Sequence, residues 1–455
     1  MTSRRNLVSG CRRMAILSAC VLFCVCSSHG WNSGHAKITQ AAFGALPEWQ
    51  RAHWQASEAG LRSSYCIYVD MGLENAEAKP YLVVVKGRLF HYFPRDNRED
   101  YAVFSEGAER YLRLIVGKMR EGDYAEAAKF AGAFAHVIED LAQPQCHALE
   151  GVNGLPWTTL DELFTPEDQS WNRAPQSIIS LDDDSRFVVR LEGYRPQVLG
   201  THEKEAVFRL YQRCCQLRRK ARKALPAILA CAYAGDMGGA VEASLPPAVE
   251  DAKVVADMFH TCFALAAGRF EPGEVKALGE MDLTSLVPIS APSLINGPYR
   301  FSPLAYGCSV TMKREPVPLQ VWLPDGGGQK REVTLAKGIG TGCCRFSYEI
   351  PAGVFREFRC IAGLHSRLSL LPSGACLRLT VKVAGKVAFD SGVLEAGSLA
   401  RKVAIPVDAG GTLELISEGR KGMVGNEANQ TVWGEPVLVR LGAGENAARA
   451  PASGK

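Results

Sequence analysis

Once its first 30 residues are set aside, this 455-residue chain has no net charge. Those residues carry Arg4, Arg5, Arg12 and Arg13 and no acid, so 48 basic residues face 48 acidic ones in the remainder. Without a basic surplus there is no surface-wide footprint for a polyanion, which argues against a stable nucleic-acid partner. No transmembrane segment is expected: the apolar run 14–26 is too short to cross a bilayer, though it has the length of a signal-peptide core. No CxxC spacing occurs, which argues against a zinc site built from cysteine alone. No internal repeat is present.

What is present begins with that leader. Small residues at Ser28 and Gly30 favour cleavage before Trp31, which predicts a signal peptide over 1–30 and a secreted, periplasmic or cell-surface protein. Two other export routes stay open. Ser3-Arg4-Arg5-Asn6-Leu7-Val8 is similar to a twin-arginine signal, and Leu17-Ser18-Ala19-Cys20 to a lipoprotein box. Eleven cysteines follow residue 30. Export permits disulfides, and the odd count leaves at least one thiol free or paired between chains.

Two patterns divide the rest. From Trp31 to about Gly268 apolar residues recur at helical spacing: Ile38, Ala41, Ala42 and Leu46, closed by Pro47, then Phe130, Phe134, Val137, Ile138 and Leu141, closed by Pro144. Two more helices are expected over 206–230 and 248–267, the latter after Pro246-Pro247. Prolines at 272, 288, 292 and 298 mark 271–300 as a linker. From about Leu304 the period becomes two, as in Leu377, Leu379, Val381 and Val383, with Ala384-Gly385-Lys386 as a turn. Short strands between Gly and Pro turns predict a β-sandwich over 301–443, with a frayed tail over 444–455.

His136 and Asp140 are four apart, so a helix projects both from one face. Imidazole nitrogen and carboxylate oxygen are zinc ligands, and Gln143-Pro144-Gln145-Cys146-His147 follows at once. A free Trp31 amine with its own carbonyl can also chelate a metal, and His35 is near in sequence. Upstream stand Asp70, in Tyr68-Val69-Asp70, and His91, in Phe90-His91-Tyr92-Phe93-Pro94.

In this order, an N-terminal Trp, a nearby His, an isolated Asp, a His among aromatics and HxxxD...QPxH resemble the zinc-dependent phospholipases C and single-strand nucleases. The resemblance covers about 31–270. It implies a mostly helical domain holding two to three Zn2+ ions. It assigns Asp70, His91, His136 and Asp140 to one ion, and Trp31, His35 and a bridging Asp140 to a second. His147 and Glu162 go to a third, and Asp70 serves as the catalytic base. The third site departs from the pattern. Thr158 stands where a His is expected, and by strict count Cys146 rather than His147 takes the ligand position. His202 is a loop alternative; like His53, His260 and His365, it reads as an exposed loop histidine.

Lys337-Gly338-Ile339-Gly340, Phe346-Ser347-Tyr348, Asp390-Ser391-Gly392-Val393 and Trp433 occur in an order that resembles the novel putative carbohydrate-binding module, a galactose-binding-like sandwich. The resemblance covers about 290–441. It implies a carbohydrate ligand with Trp433, Asn429 and Glu435 as contacts, although Gly342 replaces a common His and Glu435 a common Asp.

Together these readings predict a multidomain secreted zinc phosphodiesterase of the phospholipase C type, acting on a phosphate ester, in first place a phospholipid, with an accessory sugar-binding module. Two alternatives remain: a single-strand nuclease or phosphomonoesterase on the same scaffold, and a catalytically degenerate sugar-binding surface protein.

Overall fold

The computed structural model describes residues 32–91, 98–143, 181–289, 293–294, 304–311, 315–370, 375–419 and 430–442. A mostly α-helical half is followed by a β-sandwich. The helical half contains α1 (Asn32–Ala45), α2 (Glu48–Trp54), α3 (Glu58–Leu61), α4 (Tyr68–Met71), α5 (Arg98–Arg120), α6 (Tyr124–Glu139), α7 (Glu203–Tyr233) and α8 (Met237–Ala267). A small hairpin, β1 (Val84–Val85) with β2 (Arg88–Leu89), precedes α5. No helix among the described residues is long and apolar enough to cross a membrane.

The expected helices form, with two differences of extent. α6 starts where Asp123 accepts a hydrogen bond from Glu126 N at 3.2 Å, an N-cap. It is buried on all sides, not along one stripe: His136 and Glu139 are as enclosed as Phe134 and Val137. α8 begins eleven residues before the expected 248, because Asp236 caps it by accepting from Gly239 N at 2.9 Å. Pro246 and Pro247 lie inside it. They remove two helical hydrogen bonds, and burial of Ala240, Val241, Pro247 and Ala248 offsets that loss.

The sandwich pairs two antiparallel sheets after α8, beside two hairpins, β6 (Ser309–Val310) with β7 (Pro316–Val317) and β8 (Leu319–Pro324) with β9 (Lys330–Leu335). One has the order β15 (Arg401–Pro406), β12 (Phe355–Leu364), β17 (Thr431–Arg440), β10 (Gly338–Thr341), β5 (Ala305–Tyr306). The other runs β14 (Lys386–Glu395), β13 (Cys376–Val383), β16 (Gly411–Gly419), β11 (Cys344–Ile350), β4 (Ser293–Leu294). Between β13 and β14, Ala384 and Gly385 both have positive φ, 48° and 79°, the two-residue hairpin that the sequence turn anticipates. The inward faces carry Phe346, Tyr348, Phe358, Leu379, Leu415 and Trp433.

The proline-bearing stretch read as a linker is structured. It holds helix α9 (Pro272–Ala277), strand β3 (Glu280–Asp282) paired with Val437–Val439 of β17, and β4 paired with β11. Of its prolines among the described residues, Pro272 takes the first position of α9 and Pro288 lies outside β3, where no ladder donor is needed. None of the cysteines among the described residues is disulfide-bonded.

A buried ion pair ties the halves together. Glu205 on α7 accepts from Arg440 Nε at 2.8 Å and Nη2 at 2.9 Å, and from Arg209 Nη2 at 3.1 Å. Phe208, one turn on, packs edge-on against Phe355 of β12 with ring centroids 5.7 Å apart. Removing one partner of a buried pair strands the other, so Arg440→Ala is expected to cost about 3 kcal/mol in chemical denaturation. Burial works against the Glu205 charge, but Arg440 and Arg209 outweigh it and hold the carboxyl below its usual range. A pKa lowered on folding adds stability that is complete above about pH 4.3 and is lost as pH falls through the folded value. The acid-side loss of stability should therefore be shallower in Arg440→Ala than in the parent.

Candidate metal centre

Four segments far apart in sequence meet around Asp140. Gly132 of α6 sits against Tyr65, where an added Cβ would come within 2.5 Å of the Tyr65 Cβ. This close approach brings the following Cys66 carbonyl to His136 Nδ1, one turn further along α6, at 2.7 Å. The imidazole is therefore fixed with Nδ1 donating and Nε2 turned away. The same short segment continues into α4, which carries Asp70.

At this point three groups converge. Asp70 Oδ1 lies 3.4 Å from His136 Nε2 and 3.6 Å from His91 Nε2, and the two imidazole nitrogens are 3.3 Å apart. Asp140 Oδ2 lies 3.0 Å from His91 Nε2 and 3.4 Å from His136 Nε2. A tetrahedral zinc with ligands at about 2.0–2.2 Å separates them by roughly 3.3–3.6 Å. Four of the five separations fall in or within a tenth of that range, and the fifth is a little short.

The other Asp140 oxygen faces a second group. Oδ1 is 3.5 Å from His35 Nε2, and His35, His136 and Asp140 form a second cluster of metal-ligating atoms. His35 stands in the first turn of α1, whose N-terminal amides are held by a buried carboxylate: Asp182 Oδ2 accepts from Ser33 N at 3.0 Å and Gly34 N at 2.8 Å. On its far side His35 Nδ1 is 2.9 Å from Glu139 Oε2, and Thr39 donates to the other Glu139 oxygen. His35 Nε2 has no hydrogen-bond partner although it is buried. Imidazoles pinned at Nδ1 by a carboxylate or a carbonyl, with Nε2 turned toward shared carboxylates, make a metal-ligand arrangement, and these residues fit zinc.

The electrostatics agree. Burial opposes charge on His136, but Asp140 and Asp70 outweigh it and push its pKa up to about 10. Burial likewise opposes charge on Asp70, and the His136 hydrogen bond and charge hold its carboxyl below the usual range. The pocket thus holds Asp70 ionised beside the imidazoles.

His35, Asp70, His91, His136 and Asp140 are therefore brought together. Trp31, Cys146, His147, Thr158, Glu162 and Asn429 lie outside the described residues. His202 is the N-cap residue of α7 beside Glu205 and Arg440, and belongs to no cluster of metal-ligating atoms among the described residues. His260 and His365 are not exposed loop residues. Both are buried, His260 between Gln50 and Glu274 and His365 against the Pro318 carbonyl.

In the sandwich, Trp433 is corrected from sugar contact to core residue. It is 0% exposed between the two sheets, so neither ring face is open to a sugar. Glu435 is exposed, at φ 48° in a bulge where Gly434 and Val437 oppose Ile361 and Arg359. It borders a shallow groove with Lys337, Arg359 and Lys402.

Sequence reasoning missed Glu139 and Asp182. Neither carries a distinguishing sequence signal: Glu139 stands beside Asp140 like any helix-face acid, and Asp182 lies in Asp182-Asp183-Asp184. Glu139→Ala is expected to weaken zinc binding on the His35 side by about 10–100-fold. Glu139→Gln, whose amide oxygen still accepts from Nδ1, should retain most of the affinity. Competition against a chromogenic chelator measures both.

No protein-family profile and no curated protein matches the sequence. Among solved structures, the chain is similar to the alpha toxin of Clostridium absonum, at 8% identity over 90% of this chain and 95% of that chain, with a TM-score of 0.33. It is also similar to CBM51 of Clostridium perfringens GH95 in complex with methyl-galactose, at 18% identity over 35% of this chain and 99% of that chain, TM-score 0.28. A third similarity is to the CBM51-2 and INT domains of Clostridium perfringens ZmpB, at 16% identity over 35% of this chain, TM-score 0.28. The chain spans 31% of that ZmpB structure's length.

Proposed function

We propose that the protein is an exported zinc-dependent phosphodiesterase of the phospholipase C type, with Asp70, His91, His136 and Asp140 holding one ion. Asp140, His35 and the Trp31 amine hold the second. The observation that carries this reading is the division of one buried carboxylate, Asp140, between two sets of ligands, Oδ2 to His91 and His136 and Oδ1 to His35. Bound zinc supplies Lewis acidity toward a phosphoryl oxygen and lowers the pKa of a coordinated water.

The chain's own residues do the rest. Asp70 is the less enclosed acid, 12% exposed against 1% for Asp140, so it is the carboxylate a substrate reaches. Held ionised beside His136, it takes the proton of the attacking water at Oδ2, the oxygen not gathered with the two imidazole nitrogens. Glu139 and the Cys66 carbonyl keep His35 and His136 from rotating. His147 and Glu162 are assigned to a third ion, and Glu435 and Asn429 to a carbohydrate contact in the sandwich.

The test loads purified protein with zinc and compares a chromogenic phosphocholine diester with single-stranded DNA. The reading expects zinc-dependent hydrolysis of the diester in preference to DNA. Preference for DNA selects the nuclease on the same scaffold, and zinc binding without hydrolysis of either selects a binding protein.

A further inference from the structure

The helical core holds a carboxylate that the site described above does not use. Asp251 lies in the middle of α8, is 0% exposed, and has no hydrogen-bond partner at either oxygen among the described residues. A carboxyl removed from water without replacement bonds is costly, and such groups are ordinarily paired or serve an ion. The charges acting on Asp251 are those of Glu139 and Asp140, both of its own sign. α8 packs against α1, which carries His35, against α6, which carries Glu139, and against the turn that begins at Asp140. Two further groups are without hydrogen-bond partners among the described residues: His35 Nε2, and both polar atoms of the buried Gln143 side-chain amide. Gln143 directly follows the turn Asp140–Ala142. A buried imidazole, a buried amide and three buried acids thus share one region.

We propose that Asp251 is a further acid of the metal centre, balancing from the α8 side the charge of the ion held by His35 and Asp140 and so setting that ion's affinity. This rests on the two-ion reading above. Its physical content is a difference between two states. In the metal-free protein an unpartnered buried carboxyl is a burden. With a divalent cation beside Asp140 the same carboxyl is attracted to it. Removing Asp251 should therefore help the empty protein and hurt the loaded one, whereas a merely structural residue moves both states in the same direction.

The experiment uses the full exported chain, as parent, Asp251→Asn and Asp251→Leu. Thermal unfolding is followed in chelator and in excess zinc, and stepwise zinc affinity by competition with a chromogenic chelator. Expected are an apo Tm at or above the parent's in Asp251→Leu, a smaller zinc-induced rise in both variants, and a second zinc equivalent weakened about 10–100-fold. The first equivalent stays as in the parent. Two tight equivalents in the parent with unchanged affinities in both variants overturn the role of Asp251 alone. Equal loss of Tm in chelator and in zinc also overturns it, as a structural effect. A parent that binds no zinc overturns the two-ion centre and this role together.

Discussion

Asp140→Ala is expected to bind less zinc than any other single ligand variant and to lose diester hydrolysis to background. The two oxygens of this carboxylate serve different partners, Oδ2 standing 3.0 Å from His91 and Oδ1 3.5 Å from His35. On the two-ion reading, its removal takes a ligand from each ion. It also leaves the His35, His91 and His136 nitrogens facing one another without an intervening anion. Loss of metal-based stabilisation is worth about 4 kcal/mol or more, roughly a thousandfold in rate. Elemental analysis beside the diester assay measures both. Equal zinc content in Asp140→Ala and parent would remove the shared role.

Asp70→Asn should separate binding from turnover. The amide keeps an oxygen where Oδ1 stands, 3.4 Å from His136 Nε2, so the ligand set loses a charge but not its shape. It cannot accept a proton as the carboxylate does, and loss of a positioned general base costs about 10²–10⁴-fold. The expected result is a fall in kcat of that size with the zinc content of the parent retained. Zinc lost in step with activity would make Asp70 a ligand only.

The candidate ligands that the structure gathers, His35, Asp70, His91, His136 and Asp140, were legible in the sequence by their order rather than their spacing. His136 and Asp140 lie on one helix, and Asp70 and His91 reach them from separate segments by a chain path no periodicity encodes. The layers of the fold were legible for a similar reason. Alternation such as Leu377, Leu379, Val381 states which face is buried, and β13 buries those residues. The buried acids around the candidate ligands were not legible. Glu139 and Asp251 look like solvated acids on amphipathic helices, and only the packing of α6 and α8 against α1 shows them enclosed. Trp433 failed in the opposite direction. An aromatic near a strand end suits a sugar platform or a core equally, and the register Ile339↔Trp433 and Ala362↔Trp433 turns it inward. The linker misreading has the same origin: prolines report where donors are missing, not whether a short strand such as Glu280–Asp282 finds an edge to join.

Anomalous diffraction at the zinc edge, from crystals of the zinc-loaded protein, tests the two-ion centre most directly. Two peaks are expected, one among Asp70, His91, His136 and Asp140 Oδ2, the other in contact with His35 Nε2 and Asp140 Oδ1. A single peak, or two peaks that do not both touch Asp140, would contradict the shared carboxylate on which the functional reading depends.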